Sequence, residues 1–152
     1  MKAVIQRVKH SSVSVGGKVI GEIGRGFNVL LGICEDDTPD DALVLAGKVA
    51  RLRIFEDENE KMNLSLTDVD GEALVISQFT LCADTKKGNR PSFTFAARPE
   101  KAVPIYEFFM QELLANGVKK VEHGEFGADM AVEILNDGPV TIILDSETWR
   151  KS

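Results

Sequence analysis

The sequence contains few of the residues that build metal centres and disulfide frameworks. Its 152 residues include two cysteines, two histidines, one tryptophan and one tyrosine. No apolar run approaches the roughly 18 residues of a membrane-spanning helix, and the N-terminal segment MKAVIQRVKHSS lacks the apolar centre of a signal peptide. We therefore expect a protein of the cytoplasm that has no membrane partner.

The cysteines and histidines do not form a recognisable metal or redox motif. Cys34 and Cys82 lie far apart in the sequence and form neither a CxxC pair nor a zinc-ligand pattern, and only His10 and His123 could assist them. His123 lies in a loop-like segment with no matched nucleophile. We expect two small buried or half-buried cysteines, no metal site and no cofactor.

The charge balance limits the range of partners. The formal net charge is −6, which argues against a protein that coats nucleic acid through its overall field, and we expect no DNA partner. A local basic patch that binds one end of an RNA is still compatible with this charge. The length and the absence of linkers predict a single domain over residues 1–152.

Most of the chain reads as β-strand. AVIQRV is followed by SSVSVGGKVIGEI, in which Gly16 and Gly17 supply the positive φ angles of a two-residue hairpin turn. FNVLLGI is a nearly continuous apolar run, typical of a strand covered on both faces. EALVISQFTL, MAVEIL and VTIIL complete the set, the last two being separated by a Gly-Pro turn.

Two helices are predicted beside these strands. In DDTPDDALVLAGKVARLRIF, Thr38 can cap a helix and Pro39 suits its first position. PIYEFFMQELLANG predicts a second helix, and because Pro99 and Pro104 both lie near its start, that helix begins late or is irregular there. The pattern indicates an α/β protein of mixed sheets with helices on one side.

One candidate site is the polar end of the strand VISQFTL. Alternation along a strand predicts Gln78 and Thr80 on one face, with Ser77 and Phe79 on the other. Hydroxyl, amide and backbone groups at this end could bind or orient a ligand. The alternative is an ordinary strand terminus whose polar side chains are satisfied locally.

The loop TKKGNRPSF lies just downstream and carries Lys86, Lys87 and Arg90, which could contact phosphates or could simply be solvated. Neither stretch places a histidine or carboxylate beside a nucleophile at motif-like spacing. A hydrolase here would have to attack an already activated bond or borrow a group from its substrate, with backbone N–H groups stabilising the oxyanion.

SQFTL at residues 77–81 and NDGPVT at residues 136–141 together resemble the paired signature of the D-aminoacyl-tRNA deacylases, the D-tyrosyl-tRNA(Tyr) deacylase family. The resemblance covers the whole chain. Further segments occur in the expected order: VIQRV, LRIFEDENEKMN, KKGNRPSF and FGADM. Several collinear motifs are far more specific than either signature alone.

The resemblance implies a three-layer β/β/α fold with mixed, largely antiparallel sheets and two main helices. It implies a cytoplasmic homodimer that hydrolyses the ester of D-aminoacyl-tRNA and also acts on glycyl-tRNA(Ala). The pocket would lie at the dimer interface, with a wall formed by Ser77, Gln78, Phe79 and Thr80. Phe79 and Thr80 would be the catalytic positions. In the family that the chain resembles, the threonine matching Thr80 has been considered as a nucleophile, and we favour backbone stabilisation aided by the tRNA 2′-hydroxyl.

The resemblance also gives a role to the Gly-Pro pair. Gly138 and Pro139 would reach in from the other subunit with a cis peptide bond and exclude L side chains, with Arg7 supporting their loop. Lys86, Lys87 and Arg90 become candidates for tRNA contact. The alternative function is a non-catalytic dimeric module that binds a small ligand.

Overall fold

The computed structural model of the chain describes residues 1–150. Its strands and helices, in chain order, are β1 (Lys2–Val15), β2 (Lys18–Ile23), β3 (Gly26–Gly32), α1 (Pro39–Arg51), β4 (Phe55–Glu56), β5 (Met62–Leu64), β6 (Glu72–Ser77), α2 (Pro99–Ala115), β7 (Val121–His123), β8 (Ala131–Asp145) and α3 (Glu147–Arg150). Within this part of the chain, no helix is long and apolar enough to cross a membrane.

Strand β1 organises a six-stranded mixed sheet. One edge of β1 pairs antiparallel with β8, and the other pairs antiparallel with β3 along its first half and with β2 along its second half. Strand β6 continues the sheet in parallel with β3 and β7, so that His123 ends a short strand where the sequence indicated a loop. Gly16 and Gly17 have φ angles of 57° and 80°, which confirms the predicted hairpin turn.

The sheet is covered on both faces, which produces the predicted three-layer arrangement. In β6, Ala73 and Val75 join the large core beneath the helices, whereas Leu74 and Ile76 join a second core on the opposite face. Strand β1 supplies Val8 and Val13 to that second core, because the second half of β1 packs against the face of β6 that is turned away from the helices. The predicted α/β class, with mixed, largely antiparallel sheets and two main helices, is confirmed.

The two main helices match their sequence signals, with one difference at the start of α2. Helix α1 begins at Pro39, and the Thr38 N–H donates to the Asp41 carboxylate at 2.8 Å. Helix α2 begins at Pro99, so the late start considered from the sequence is wrong, and Pro104 lies inside the helix. Pro104 has no N–H to donate to the carbonyl four residues earlier, and that carbonyl belongs to Glu100, next to the exposed N-terminal turn.

The prediction of a strand through Leu81 is wrong beyond Ser77. Residues Phe79–Cys82 form a 3-10 turn, so strand alternation does not place their side chains. The Gln78 N–H donates to the Leu31 carbonyl at 2.8 Å, and the chain then folds back over the end of β3. A Cβ atom at Gly32 would lie 2.8 Å from the Cβ of Leu81, so a glycine is needed for this close approach.

The two cysteines are joined, a pairing that was not expected from their sequence spacing. Cys34 follows β3, Cys82 ends the 3-10 turn, and a disulfide links them across a Cα–Cα distance of 5.9 Å. Cys82 is buried and Cys34 is half-buried, as expected for each residue singly. The cysteines meet only because the 3-10 turn folds back over the end of β3, and this contact cannot be predicted from their spacing in the sequence.

Truncating a side chain in the core on the helix side should lower the stability of the protein strongly. We expect Phe109→Ala, a fully buried ring in α2, to lower the free energy of unfolding by about 3–5 kcal/mol because it leaves a cavity. Leu114→Ala, at an exposed position of the same helix, should change it by no more than about 0.5 kcal/mol. Urea unfolding of both variants measures the difference, and equal losses would contradict this description of the core.

Candidate functional site

A cavity opens where β6 ends, and we call it the strand-end cavity. It has a volume of about 240 Å³. One wall is formed by Ser77, Gln78 and Phe79, three of the residues singled out from the sequence. The facing wall is formed by the segment 126–132, which runs from the β7–β8 connection into the start of β8 and contributes Phe126, Gly127, Ala128, Met130 and Val132.

The 3-10 turn sets the geometry of the first wall. Gln78 Nε2 donates to Thr80 Oγ1 at 2.6 Å, so the two polar side chains contact each other as well as the solvent. Phe79 is 54% exposed at the rim, and its ring meets Phe93 edge-on at 5.3 Å between centroids. The structure thus brings the four predicted residues to one place, but through a turn instead of a continued strand.

The strand-end cavity has no ionisable side chain among the described residues that line it. Tyr106, behind it, donates its hydroxyl to the Val75 carbonyl at 2.7 Å, and burial raises the pKa of this phenol. The phenol therefore stays protonated and acts as a hydrogen-bond donor that holds β6. The cavity can bind through hydroxyl, amide and backbone groups, and it offers no general base of its own.

Sequence reasoning missed several residues of this site. Phe126 and Ala128 lie in FGADM, which identified the family but gave no sign of forming a wall. Tyr106 contacts the Phe126 ring at 6.2 Å between centroids, and its position on the inner face of α2 resembles that of an ordinary core residue. Only the packing of α2 against β6 and the 126–132 segment reveals these contributions.

The predicted basic loop projects beside the strand-end cavity. Lys86, Lys87 and Arg90 are all exposed, on a loop whose two ends pair through Asp84 and Ser92. The Asp84 N–H donates to the Ser92 carbonyl at 2.7 Å, and the reverse bond measures 2.9 Å. Phe93 follows this loop and contacts Phe79, so positive charge and exposed aromatic surface occur together at the rim of the cavity.

NDGPVT does not form the turn between two paired strands that the sequence predicted. Both flanking segments belong to β8 and pair with β1 in the same direction. Gln6 pairs with Thr141 and Val8 pairs with Asn136, so residues 137–140 bulge outward opposite Arg7 alone. The Gly138–Pro139 peptide bond in this bulge is cis, and both residues are exposed.

Arg7 and Asn136 hold the base of the bulge. The buried Arg7 side chain donates from Nη1 to the Ile54 carbonyl at 2.7 Å and from Nε to the Asp137 carbonyl at 3.2 Å. Asn136 Nδ2 donates to the carbonyls of Arg7 and Val140 at 2.9 and 3.0 Å. The bulge is therefore fastened at both ends while its tip projects.

Glycine is required at the tip because the space around it is filled. Gly138 has a φ angle of 132°, which other residues rarely adopt. A Cβ atom there would lie 2.8 Å from Cγ2 of Val140 and 3.1 Å from Nη2 of Arg7. The Gly-Pro tip thus presents backbone atoms, and no side chain from Gly138, to whatever approaches it.

The bulge and the strand-end cavity are separated within one chain. Val132, in the cavity wall, pairs with Val13, and Asn136, at the base of the bulge, pairs with Val8. These positions lie five residues apart on β1, or about 16 Å of extended strand. The residues lining the strand-end cavity accordingly include neither Gly138 nor Pro139.

Removing the amide of Asn136 should loosen the bulge. We expect Asn136→Ala to lower the free energy of unfolding by about 1–3 kcal/mol, because two carbonyl groups lose their donor. Hydrogen exchange at residues 137–141 should accelerate at the same time. Asn89→Ala, on the exposed basic loop, is the control and should change stability by no more than about 0.5 kcal/mol. Unchanged exchange in the bulge would refute this role of Asn136.

Comparison with known structures shows the same fold elsewhere. The chain superposes with a TM-score of 0.90 and 46% identity on a structure titled "c-Myc DNA Unwinding Element Binding Protein", covering 95% of this chain and 98% of that one. A structure described as a probable eukaryotic D-amino acid tRNA deacylase matches with a TM-score of 0.80 over 94% of this chain and 97% of that one. At 18% identity, this second likeness shows the fold alone.

Sequence comparison identifies relatives of nearly equal length. A D-aminoacyl-tRNA deacylase of Sulfurihydrogenibium sp. is 60% identical over 97% of this chain and 99% of its own, and one of Clostridium beijerinckii is 59% identical over 97% and 98%. The family model described as D-Tyr-tRNA(Tyr) deacylase matches residues 4–145, which include the strand-end cavity and the bulge. The chain therefore belongs to the D-Tyr-tRNA(Tyr) deacylase family.

Proposed function

We propose that this protein hydrolyses the ester bond between a D-amino acid and the 3′ end of tRNA, releasing the free D-amino acid and tRNA. The observation that carries the proposal is an uncharged cavity at the end of β6, bordered by exposed aromatic rings and a basic loop. The family match and the names of the relatives support the same activity. We further propose that the protein works in the cytoplasm, where charged tRNA is used.

The rim of the cavity suits the single-stranded end of an RNA. Phe79 and Phe93 are exposed, and aromatic rings of this kind stack on unpaired bases. Lys86, Lys87 and Arg90 provide positive charge for phosphate groups, although the chain as a whole carries a net charge of −6. This local patch supports tRNA as the partner and supplies a reason to expect weaker binding at high salt.

The chemistry requires little from side chains. An aminoacyl ester is already activated, so hydrolysis needs an attacking group and stabilisation of the oxyanion. The first N–H groups of a 3-10 turn have no acceptor inside it, and Phe79 and Thr80 occupy these positions. We propose that these backbone donors stabilise the oxyanion while the tRNA 2′-hydroxyl assists the attack.

Thr80 lies in the 3-10 turn directly after Gln78 and Phe79, which line the cavity. Its hydroxyl accepts a hydrogen bond from Gln78, and the described cavity wall offers no base that could remove its proton. A threonine nucleophile needs such a base or an equivalent activating group. The geometry therefore favours backbone-led catalysis over a covalent intermediate on Thr80.

The chiral selection would come from a second copy of the chain. Gly138 and Pro139 project from β8, between the exposed apolar side chains of Leu135 and Ile143, and lie about 16 Å along the strand from their own cavity. A homodimer that buries these apolar residues would bring the bulge of one subunit to the cavity of the other. Arg7 would act as the positioning residue that keeps the bulge in place.

A gate made of backbone atoms accounts for the range of substrates. Such a gate would exclude an L side chain because of the direction in which that side chain points, whichever amino acid it belongs to. Glycine has no side chain to reject, so we propose that glycyl-tRNA(Ala) is also a substrate. This selection needs no metal or cofactor.

A second candidate is a non-catalytic dimeric module that binds a free small ligand. The absence of ionisable side chains from the described cavity wall favours it. Calorimetry distinguishes the two functions, because the module would bind free D-tyrosine or adenosine tightly and would leave D-aminoacyl-tRNA intact.

The deacylation assay tests the proposed activity directly. We expect the purified protein to hydrolyse D-tyrosyl-tRNA about 100-fold faster than L-tyrosyl-tRNA, a difference of about 2.7 kcal/mol in activation free energy. Pro139→Ala should reduce this ratio about tenfold, because alanine frees the backbone angle that proline fixes and adds an N–H group to the tip. Release of labelled tyrosine from each charged tRNA provides the measurement.

Pro39→Ala, at the start of α1 and away from the cavity, is the matched control and should keep the wild-type ratio. Equal hydrolysis of both substrates by the wild-type protein would contradict chiral selection. An unchanged ratio in Pro139→Ala would remove the Gly-Pro tip from the selection mechanism without affecting the activity itself.

Thr80→Val separates the two catalytic schemes. If backbone donors and the substrate hydroxyl suffice, the variant should keep its turnover number within about tenfold of the wild type, since only the contact to Gln78 is lost. A fall of about 1000-fold or more, of the size seen when a nucleophile is removed, would instead identify Thr80 as the attacking group. Thr85→Val, on the exposed loop, controls for the loss of a threonine hydroxyl.

A further inference from the structure

The disulfide between Cys34 and Cys82 occupies a position that the proposed reaction does not explain. Cys82 ends the 3-10 turn that carries Phe79 and Thr80, and Cys34 lies in the segment that follows β3. The Cα–Cα distance of 5.9 Å is within the range of an ordinary disulfide. The bond therefore connects the turn at the strand-end cavity to the end of a central strand.

The same segment after β3 also holds the far end of the basic loop. Cys34 forms an isolated β-bridge with Ala96, the Glu35 N–H donates to the Phe95 carbonyl at 2.7 Å, and the Ala97 N–H donates to the Ile33 carbonyl at 3.0 Å. Residues 33–35 thus fasten the chain where it leaves the loop, and the disulfide fastens it where the loop begins.

Beyond the Gln78 N–H bond to the Leu31 carbonyl and the packing of Leu81 on Gly32, the beginning of the loop is held largely by backbone bonds within its own segment. The backbone N–H groups of Leu81, Ala83 and Asp84 donate to Gln78, Thr80 and Ser92 respectively, all within residues 78–92. Opening the disulfide would remove the covalent connection between this stretch and β3 while leaving the Ala96 end attached. Both the basic residues and the 3-10 turn would then gain freedom.

We propose that Cys34 and Cys82 form a reversible redox pair whose disulfide form holds the basic loop and the 3-10 turn ready for tRNA. The proposal deepens the proposed function and rests on it. In proteins of a reducing compartment, disulfides are usually transient or redox-sensing, whereas a two-cysteine staple in an oxidising compartment is structural. A redox-sensing disulfide therefore differs from a structural one in that it opens in the native protein.

The redox step is a thiol–disulfide exchange. An external thiolate attacks the sulfur of the half-buried Cys34, forming a mixed disulfide and releasing the Cys82 thiolate, which takes up a proton. A second external thiolate then attacks the outer sulfur, freeing Cys34 and producing a small-molecule disulfide. Two electrons and two protons reach the protein, and the reverse sequence uses a small-molecule disulfide as the oxidant.

A cavity of about 350 Å³ gives access to the bond, since both cysteines line it. Its walls carry more negative than positive groups; the carboxylates are those of Glu35, Asp36, Asp37, Asp145 and Glu147, beside Lys2 and the amino group of Met1. This field should repel anionic glutathione and attract the cationic thiol cysteamine. The charge of the reductant should therefore change the rate of opening.

The experiment uses the full-length native protein in cysteamine–cystamine and glutathione buffers of graded ratio. Alkylation and mass spectrometry should show that both thiols appear together in one two-electron transition, reached faster with cysteamine. In the reduced form, amide exchange of residues 83–95 should accelerate, and the KM for D-aminoacyl-tRNA should rise about fivefold, the lower end of typical coupling between sites. The Cys34→Ser/Cys82→Ser double variant should show the raised KM at every ratio.

The readouts separate failure of this proposal from failure of the proposed function. An inactive protein would refute the deacylase activity, whereas alkylation and exchange still report on the redox pair. A disulfide that stays closed in the native protein overturns the proposal, because the bond would be a permanent staple. Opening with no change in loop exchange or KM overturns it too, and this wild-type comparison stands even if the double variant fails to fold.

Discussion

The pairing of β1 with β8 is the interaction on which the rest of the structure depends. It runs nearly the whole length of both strands and is interrupted opposite Arg7, where four residues of β8 face one of β1. At this interruption the regular β-pairing stops, and Gly138 and Pro139 project from the paired strands on either side. Because Arg7 and Asn136 satisfy the carbonyl groups at that base, the bulge is a fixed feature of the sheet.

The elements of the fold were largely predictable, and the two parts of the site were less so. Gly16-Gly17 and the Thr38-Pro39 signal are local, and the structure follows both. The end of β6 at Ser77 and the joining of the cysteines depend on chain segments that meet only after folding. The alternating pattern predicted a strand as far as Leu81. The residues of SQFTL alone do not indicate that Gly32, on a neighbouring strand, leaves space for a turn there.

The candidate site was recognised through its family signature more than through its chemistry. Ser77 to Thr80 and Gly138-Pro139 were singled out from the sequence as candidate site residues, but a strand pattern could not show that a bulge rather than a hairpin carries the second pair. Because its described wall is uncharged, the cavity corresponds to no base or metal motif in the sequence. In the proposed mechanism, backbone groups both select the D-aminoacyl ester and stabilise the oxyanion. Because every residue has these groups, they are hard to recognise from residue types alone.

The central claim is that the cavity of one subunit is completed by the bulge of the other, and mixed dimers test it most directly. One subunit would carry Pro139→Ala, and its partner would carry Ala128→Trp, which fills the strand-end cavity. The open cavity then belongs to the first subunit and faces the intact bulge of the second, so the account predicts wild-type discrimination between D- and L-tyrosyl-tRNA. Discrimination as poor as that of the Pro139→Ala homodimer would contradict it, because each cavity would then be selected by its own bulge.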